Sequence, residues 1–221
     1  LEIFKMRIIT AIRLLFLPCV LLLTLHTRRA NAATKQEIKA YPDFAELLEK
    51  YNYDWEPHEV KTEDGWYLTL IRVKTTGKAE PDPSKLPILL LHGSMDSGLG
   101  FLKRSTTDDS AWALQMVRKG YEVWINNSRG VKYSYRHERD DEWSLREKWN
   151  FNWADMGYYD VPAAIEKVLE TSKAPKLTVI GHSQGTAQMF YALSHKQDFF
   201  AERVHRFISL ASCIMPEPYP Q

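Results

Sequence analysis

The chain has 221 residues, 44% of them hydrophobic and 26% charged, enough for one globular domain with a sizeable core. Its 29 Lys and Arg nearly balance 28 Asp and Glu, and no stretch concentrates basic residues as a nucleic-acid partner would require.

From Met6 the sequence runs MRIITAIRLLFLPCVLLLTLHTRRANAA. Arg7 and Arg13 form a positive start, Leu14 to Leu25 an apolar core, and Ala30-Asn31-Ala32 a small-x-small cleavage pattern. Residues 1–32 are therefore expected to be a secretory signal peptide. A transmembrane anchor needs ~20 consecutive apolar residues, more than this run holds. The expectation directs the protein to the secretory pathway, secreted or lysosomal. Without those residues the chain turns slightly acidic and keeps Cys213, while Cys19 goes with the leader. A single cysteine is unusual in a secreted chain.

Asp43 to Tyr51 carries apolar residues at helical spacing. EPHEVKTEDGWYLTLIRVK reads as a β-hairpin around Asp64-Gly65. After a polar, proline-rich connection (residues 75–87), Ile88 to Leu91 has the unbroken apolar character of a buried parallel strand. Ser110 to Lys119 is predicted helical, with Ala113, Met116 and Val117 inward and Gly120 at its end. Tyr121 to Ile125 is the next strand. Trp153 to Leu169 follows as a helix with an apolar stripe, where Pro162 forces a kink or a late start. Leu177 to Ile180 is a strand, Ser183 opens a helix running to about His195, and Phe207 to Ala211 is a further strand. The alternation predicts an α/β fold with a mostly parallel sheet flanked by helices.

VIGHSQGT, ending at Thr186, contains G-x-S-x-G. Alone the motif is weak, but here it joins a predicted strand to a predicted helix, the context of a nucleophile elbow. Gly181 and Gly185 let strand and helix approach, and Ser183 is the candidate nucleophile. The N–H of Gln184 would face the oxyanion formed on an attacked carbonyl. A second N–H, from Ser94, would come from the loop that follows strand ILLL in ILLLHGSMDSG.

Taken together, several stretches resemble the acid lipases of the α/β-hydrolase fold, the gastric and lysosomal group. EPHEVKTEDGWYLTLIRV is similar to that family's E-x-H-x-V-x-T-x-D-G-Y-x-L hairpin, and LLLHGSMDSG to its oxyanion segment. GYEVWINNSRGVKYSYRH and KWNFNWADMGYYDVPAAIEKV resemble two further family blocks, and GHSQGT its nucleophile motif. The likeness spans about Tyr51 to Ala211. It implies a serine hydrolase of lipid carboxylic esters, with triacylglycerol or sterol ester as substrate at a lipid–water interface and no cofactor, metal or nucleic acid. Ser94 stands where the family usually has leucine, a change that leaves a backbone donor intact.

The triad order in this fold is Ser, then Asp or Glu, then His. His195 lies twelve residues along the helix from Ser183, roughly 18 Å away at 1.5 Å per residue. His205 precedes a strand and so sits at the opposite edge of the sheet. Asp198 and His182 offer no base, and His92 remains the alternative. The resemblance puts acid and base beyond Gln221. Residues 33–221 are therefore expected to be the N-terminal portion of an α/β-hydrolase lipase domain, the C-terminal part missing. The competing reading is a non-catalytic lipid-binding or regulatory protein.

Among weaker signals, HERDDEW lacks metal-ligand spacing and reads as a solvated charged loop. Trp143, Trp149, Phe151 and Trp153 read as packing aromatics rather than a membrane patch. Asn126-Asn127-Ser128 is a glycosylation sequon at the end of a buried strand, where modification is disfavoured. Asp155 and Asp160 are expected to favour the positive end of the long helix.

Overall fold

The structure, a computed structural model, describes residues 40–76, 80–103 and 111–213. The expected signal peptide, Cys19 and Ser110 lie outside them. A first helix, α1 (Pro42–Lys50), precedes the hairpin of β1 (Tyr53–Lys61) and β2 (Trp66–Thr76). Its turn closes through Thr62 and Gly65, the latter at φ 94°. Then come β3 (Ile88–Leu91), α2 (Trp112–Arg118), β4 (Val123–Asn127), the short β5 (Arg136–His137) and α3 (Leu145–Lys148). The rest comprises α4 (Trp153–Asp155), a π-helical turn over Met156–Asp160, α5 (Val161–Ser172), β6 (Leu177–His182), α6 (Gln184–His195), α7 (Gln197–Arg203) and β7 (Val204–Leu210).

The strands form one sheet in the order β1-β2-β4-β3-β6-β7, with β5 on β2. The β1–β2–β4 pairs are antiparallel, whereas β4–β3–β6–β7 are parallel. Both faces of the central strands are covered, which is why ILLL is apolar throughout. Ile88 and Leu90 pack with Phe44, Leu114, Val117 and Ile125 on one side. Leu89 and Leu91 pack with Trp124, Val161, Ile165, Met189 and Phe200 on the other. The mostly parallel sheet with flanking helices agrees with the predicted fold class.

Several boundaries differ from the sequence reading. In α2 Leu114 is buried where Met116 was expected, and Met116 is only half-buried. The last strand starts at Val204, so His205 lies within it. The long helix is a short α-turn, a π-turn and then α5. Pro162 has no N–H to give and its ring crowds the carbonyl four residues back, so the wider turn just before it relieves both problems. Asn152 caps the entry, accepting the N–H of Ala154 at 2.7 Å, while Asp155 accepts the N–H of Asn152 at 2.8 Å. Asp155 thus serves the helix start as expected, but Asp160 does not.

Asp160 is fully buried and bound to Arg129, itself only 2% exposed. The Arg129 backbone N–H and Nε donate to it at 3.0 and 2.8 Å, and the same guanidinium forks onto Asp64 at 2.6 and 2.8 Å. Burial pushes the Asp160 carboxyl up to about 6, with Arg129 pulling the other way. One cation thereby ties the hairpin turn, the tail of β4 and the π-turn together.

The HERDDEW segment is less solvated than its charges imply. His137 is buried, its ring stacked on Trp143 with centroids 3.9 Å apart. Its Nε2 lies 2.8 Å from the Asp64 carbonyl, and its Nδ1 accepts the Arg139 N–H at 3.0 Å. No group of three or more His, Cys, Asp or Glu among the described residues could hold a metal ion. Phe151 meets Trp66 edge-on and Trp153 meets Tyr191 likewise, but Trp149 is half exposed. The aromatic block is therefore packing material with one outward member. Asn126 of the sequon is fully buried and donates to Ser128 Oγ. No described helix is long and apolar enough to cross a membrane.

Candidate active site

Ser183 sits at the corner between β6 and α6 with φ 50° and ψ −119°. A non-glycine residue there is strained, and such strain persists only where its surroundings impose it. The chain enters the corner from a strand held between β3 and β7, the Ser183 N–H donating to the Leu210 carbonyl at 3.0 Å. It leaves into a helix whose first turn grips the Ser183 carbonyl, which accepts from the Thr186 N–H at 2.8 Å and from Thr186 Oγ1 at 2.6 Å.

Two glycines make the corner geometrically feasible. A Cβ on Gly185 would lie 2.3 Å from the Leu91 carbonyl oxygen, so no larger residue fits between α6 and the end of β3. At Gly93 a Cβ would lie 3.1 Å from His182 Nδ1 and 3.2 Å from Ser183 Cβ. The loop after β3 therefore touches the corner itself. Ser94, next along, is exposed, and Gln184 is the first residue of α6. Ser183, Gln184 and the Gly93-Ser94 loop are thus brought together beyond the C-terminal ends of the neighbouring strands β3 and β6.

His92 is buried, and both ring nitrogens are occupied. Nε2 accepts the Ser128 N–H at 3.1 Å, which leaves the ring proton on Nδ1 to donate to the Gly93 carbonyl at 2.8 Å. Burial pushes its pKa down, the Gly93 carbonyl and Asp96 opposing. This tautomer has no free lone pair for a serine proton, so His92 is not the base. His195 closes α6 at its far end, its Nδ1 at 2.9 Å from the Tyr191 carbonyl. His205 is an exposed residue near the start of β7, whose end Leu210 pairs with His182 beside Ser183. Asp198 is exposed in the first turn of α7. His182 is exposed and abuts Gly93.

Sequence reasoning left Cys213 unplaced. Its Sγ lies 3.8 Å from Ser183 Oγ, and its N–H donates to Thr186 Oγ1 at 2.8 Å. It also left unseen the grip of Asn127 on the far end of the same loop. Asn127 Oδ1 accepts the Gly98 N–H at 3.1 Å, and its Nδ2 donates to the Thr69 carbonyl at 3.0 Å. The available signal was the position of N-N-S-R-G at the end of a buried strand, where polar side chains must find partners.

A family model described as the alpha/beta hydrolase fold matches residues 86–220, and one described as a partial alpha/beta-hydrolase lipase region matches residues 44–105. Lipase 1 of Drosophila melanogaster is 38% identical over 148 residues, 67% of this chain and 31% of the fly protein. Lipase member K of Mus musculus is 33% identical over 182 residues, covering 80% and 45% respectively. Sterol esterase 2 of Saccharomyces cerevisiae is 29% identical over 198 residues, covering 85% and 36%. The chain spans less than half the length of each of these relatives.

Proposed function

This chain belongs to the α/β-hydrolase family, in its acid-lipase-like branch, and on that footing we propose that it forms the nucleophile-bearing portion of a serine hydrolase of lipid carboxylic esters. The observation that carries the reading is the strained Ser183 corner with the Gly93 loop pressed against its Cβ. Ser183 Oγ attacks the ester carbonyl and its proton passes to a general base. The oxyanion is met by the N–H groups of Gln184 and Ser94, a type of contact worth about 10²–10³-fold in rate per donor. The alcohol leaves with a proton, and water then releases the acid from the acyl-enzyme.

No described histidine is hydrogen-bonded to Ser183 Oγ, whose side-chain partner is Cys213 Sγ. The assignment therefore gives the acid and base to the part of the relatives' length that this chain does not span. Residues 33–221 are then the N-terminal portion of the lipase domain. Lipase and sterol esterase are the activities in the relatives' names, and they favour triacylglycerol or sterol ester as substrate, met at a lipid–water interface. Residues 1–32, read as a signal peptide, place the protein in the secretory route.

The test uses the full-length protein with a fluorophosphonate probe and a short-chain ester. Labelling at Ser183, with turnover lost in Ser183→Ala, is the expected result. Turnover indifferent to that substitution overturns the assignment. Lipid binding without labelling or turnover would favour a non-catalytic lipid-binding protein.

A further inference from the structure

The loop that carries Gly93 and Ser94 is held at both ends by the tail of β4. At its start, Ser128 N–H donates to His92 Nε2, and His92 Nδ1 in turn holds the Gly93 carbonyl. At its end, Asn127 Oδ1 takes the Gly98 N–H. A side chain at Gly98 would run into Ile125 Cγ2 at 2.5 Å, so the loop returns directly onto β4. Behind these contacts, Arg129 fixes the β4 tail to Asp160 and Asp64. Between the clamps the loop is exposed over Ser94, Met95 and Asp96, with Met95 at φ 57°. Ser94 and Met95 form a turn and Asp96 Oδ1 accepts the Ser97 N–H at 2.7 Å, while the two clamps tie the segment to the rest of the fold.

We infer that His92 and Asn127 are positioning residues that hold the oxyanion loop in register with Ser183. The inference rests on the serine-hydrolase reading above. A carbonyl that turns by rotation about its peptide carries the following N–H with it, and the Gly93 carbonyl is part of the same peptide as the Ser94 N–H. The His92 bond to that carbonyl therefore sets where the Ser94 donor points. A contact made stronger only as the oxyanion forms acts on kcat rather than on substrate binding.

The experiment measures kcat, KM, pH profile and thermal melting for the full-length protein and for His92→Phe, His92→Asn, His92→Gln and Asn127→Ala. His92→Asn keeps a donor near the Gly93 carbonyl, and His92→Gln keeps an acceptor toward Ser128. We expect kcat to fall roughly tenfold to a hundredfold in His92→Phe and Asn127→Ala, with KM within about twofold and the pH profile unmoved. His92→Asn should recover part of the rate because it retains the Gly93 clamp. The two losses should combine less than additively in the double variant, since both act on one loop. Unchanged kcat, or a matching rise in KM, overturns the inference. Loss of the acidic limb of the pH profile also overturns it, by making His92 the base. If His92→Phe does not fold, His92→Asn against His92→Gln decides by the same criteria. An inactive wild type that is not labelled at Ser183 sinks the hydrolase reading itself, a different result from an active wild type with indifferent His92 variants.

Discussion

Arg129 is a buried cation held between two carboxylates, Asp160 and Asp64. Its two carboxylate partners lie 31 and 65 residues away in sequence, and the rings of Trp66, Tyr159 and Phe151 stand within 5.4 to 6.0 Å of the guanidinium. Removing one partner of a buried pair leaves the other charge uncompensated, at a cost of about 3–5 kcal/mol. Arg129→Leu should lose stability on that scale by denaturant titration, and Asp160→Asn added to it should restore part. A loss below about 1 kcal/mol would show that Asp160 is already neutral there. Ser183 and its flanking glycines were legible in sequence because a sharp corner constrains adjacent residues. The Arg129 network was not, because long-range pairing leaves no periodic trace and Asp160 looked like any acid at a helix start.

At the scale of elements, the apolar run of β3, the hairpin around Asp64-Gly65 and the strand–turn–helix at Ser183 followed from local pattern. The π-turn before Pro162 and helix α7 did not. For the first, Pro162 announced a kink or a late start but not its π form, and the second is a seven-residue segment with one fully covered side chain, Phe200. β7 is the clearest element-level liability. Among the described residues nothing pairs its outer edge, and Ile208 and Leu210 are more than a third exposed. An open apolar edge strand is a template for further strand pairing. The 221-residue chain expressed alone should therefore self-associate, and Ile208→Lys should reduce this without altering its circular dichroism. Light scattering that does not change with that substitution would move the liability elsewhere.

Across the whole molecule, buried ionisable groups pull stability in opposite directions with pH. Burial opposes ionisation of Glu56, but bonds from His58 and Arg72 and the field of Lys74 outweigh it and bring the group down to about 2. Its contribution is complete above its unfolded value near 4.5 and is lost as pH falls toward 2. Asp160 behaves inversely. With a folded value of about 6 against 3.8 unfolded, the native state keeps a proton that the unfolded chain has released, so stability declines as pH rises through that window. Subtracting the Asp160→Asn stability curve from that of the wild type should give a difference that falls between pH 3.8 and 6; a flat difference would refute the burial effect. The same subtraction with His92→Phe should slope upward toward pH 6.5, because a histidine kept neutral by burial gains as protons are withdrawn from the unfolded state. The layered architecture also orders events in time. β3, the tail of β4 and β6 precede Ser183 in the chain, and β7 follows it closely. The Ser183 corner can therefore close as soon as β7 has cleared the ribosome, so its strained bend is set while synthesis is still under way.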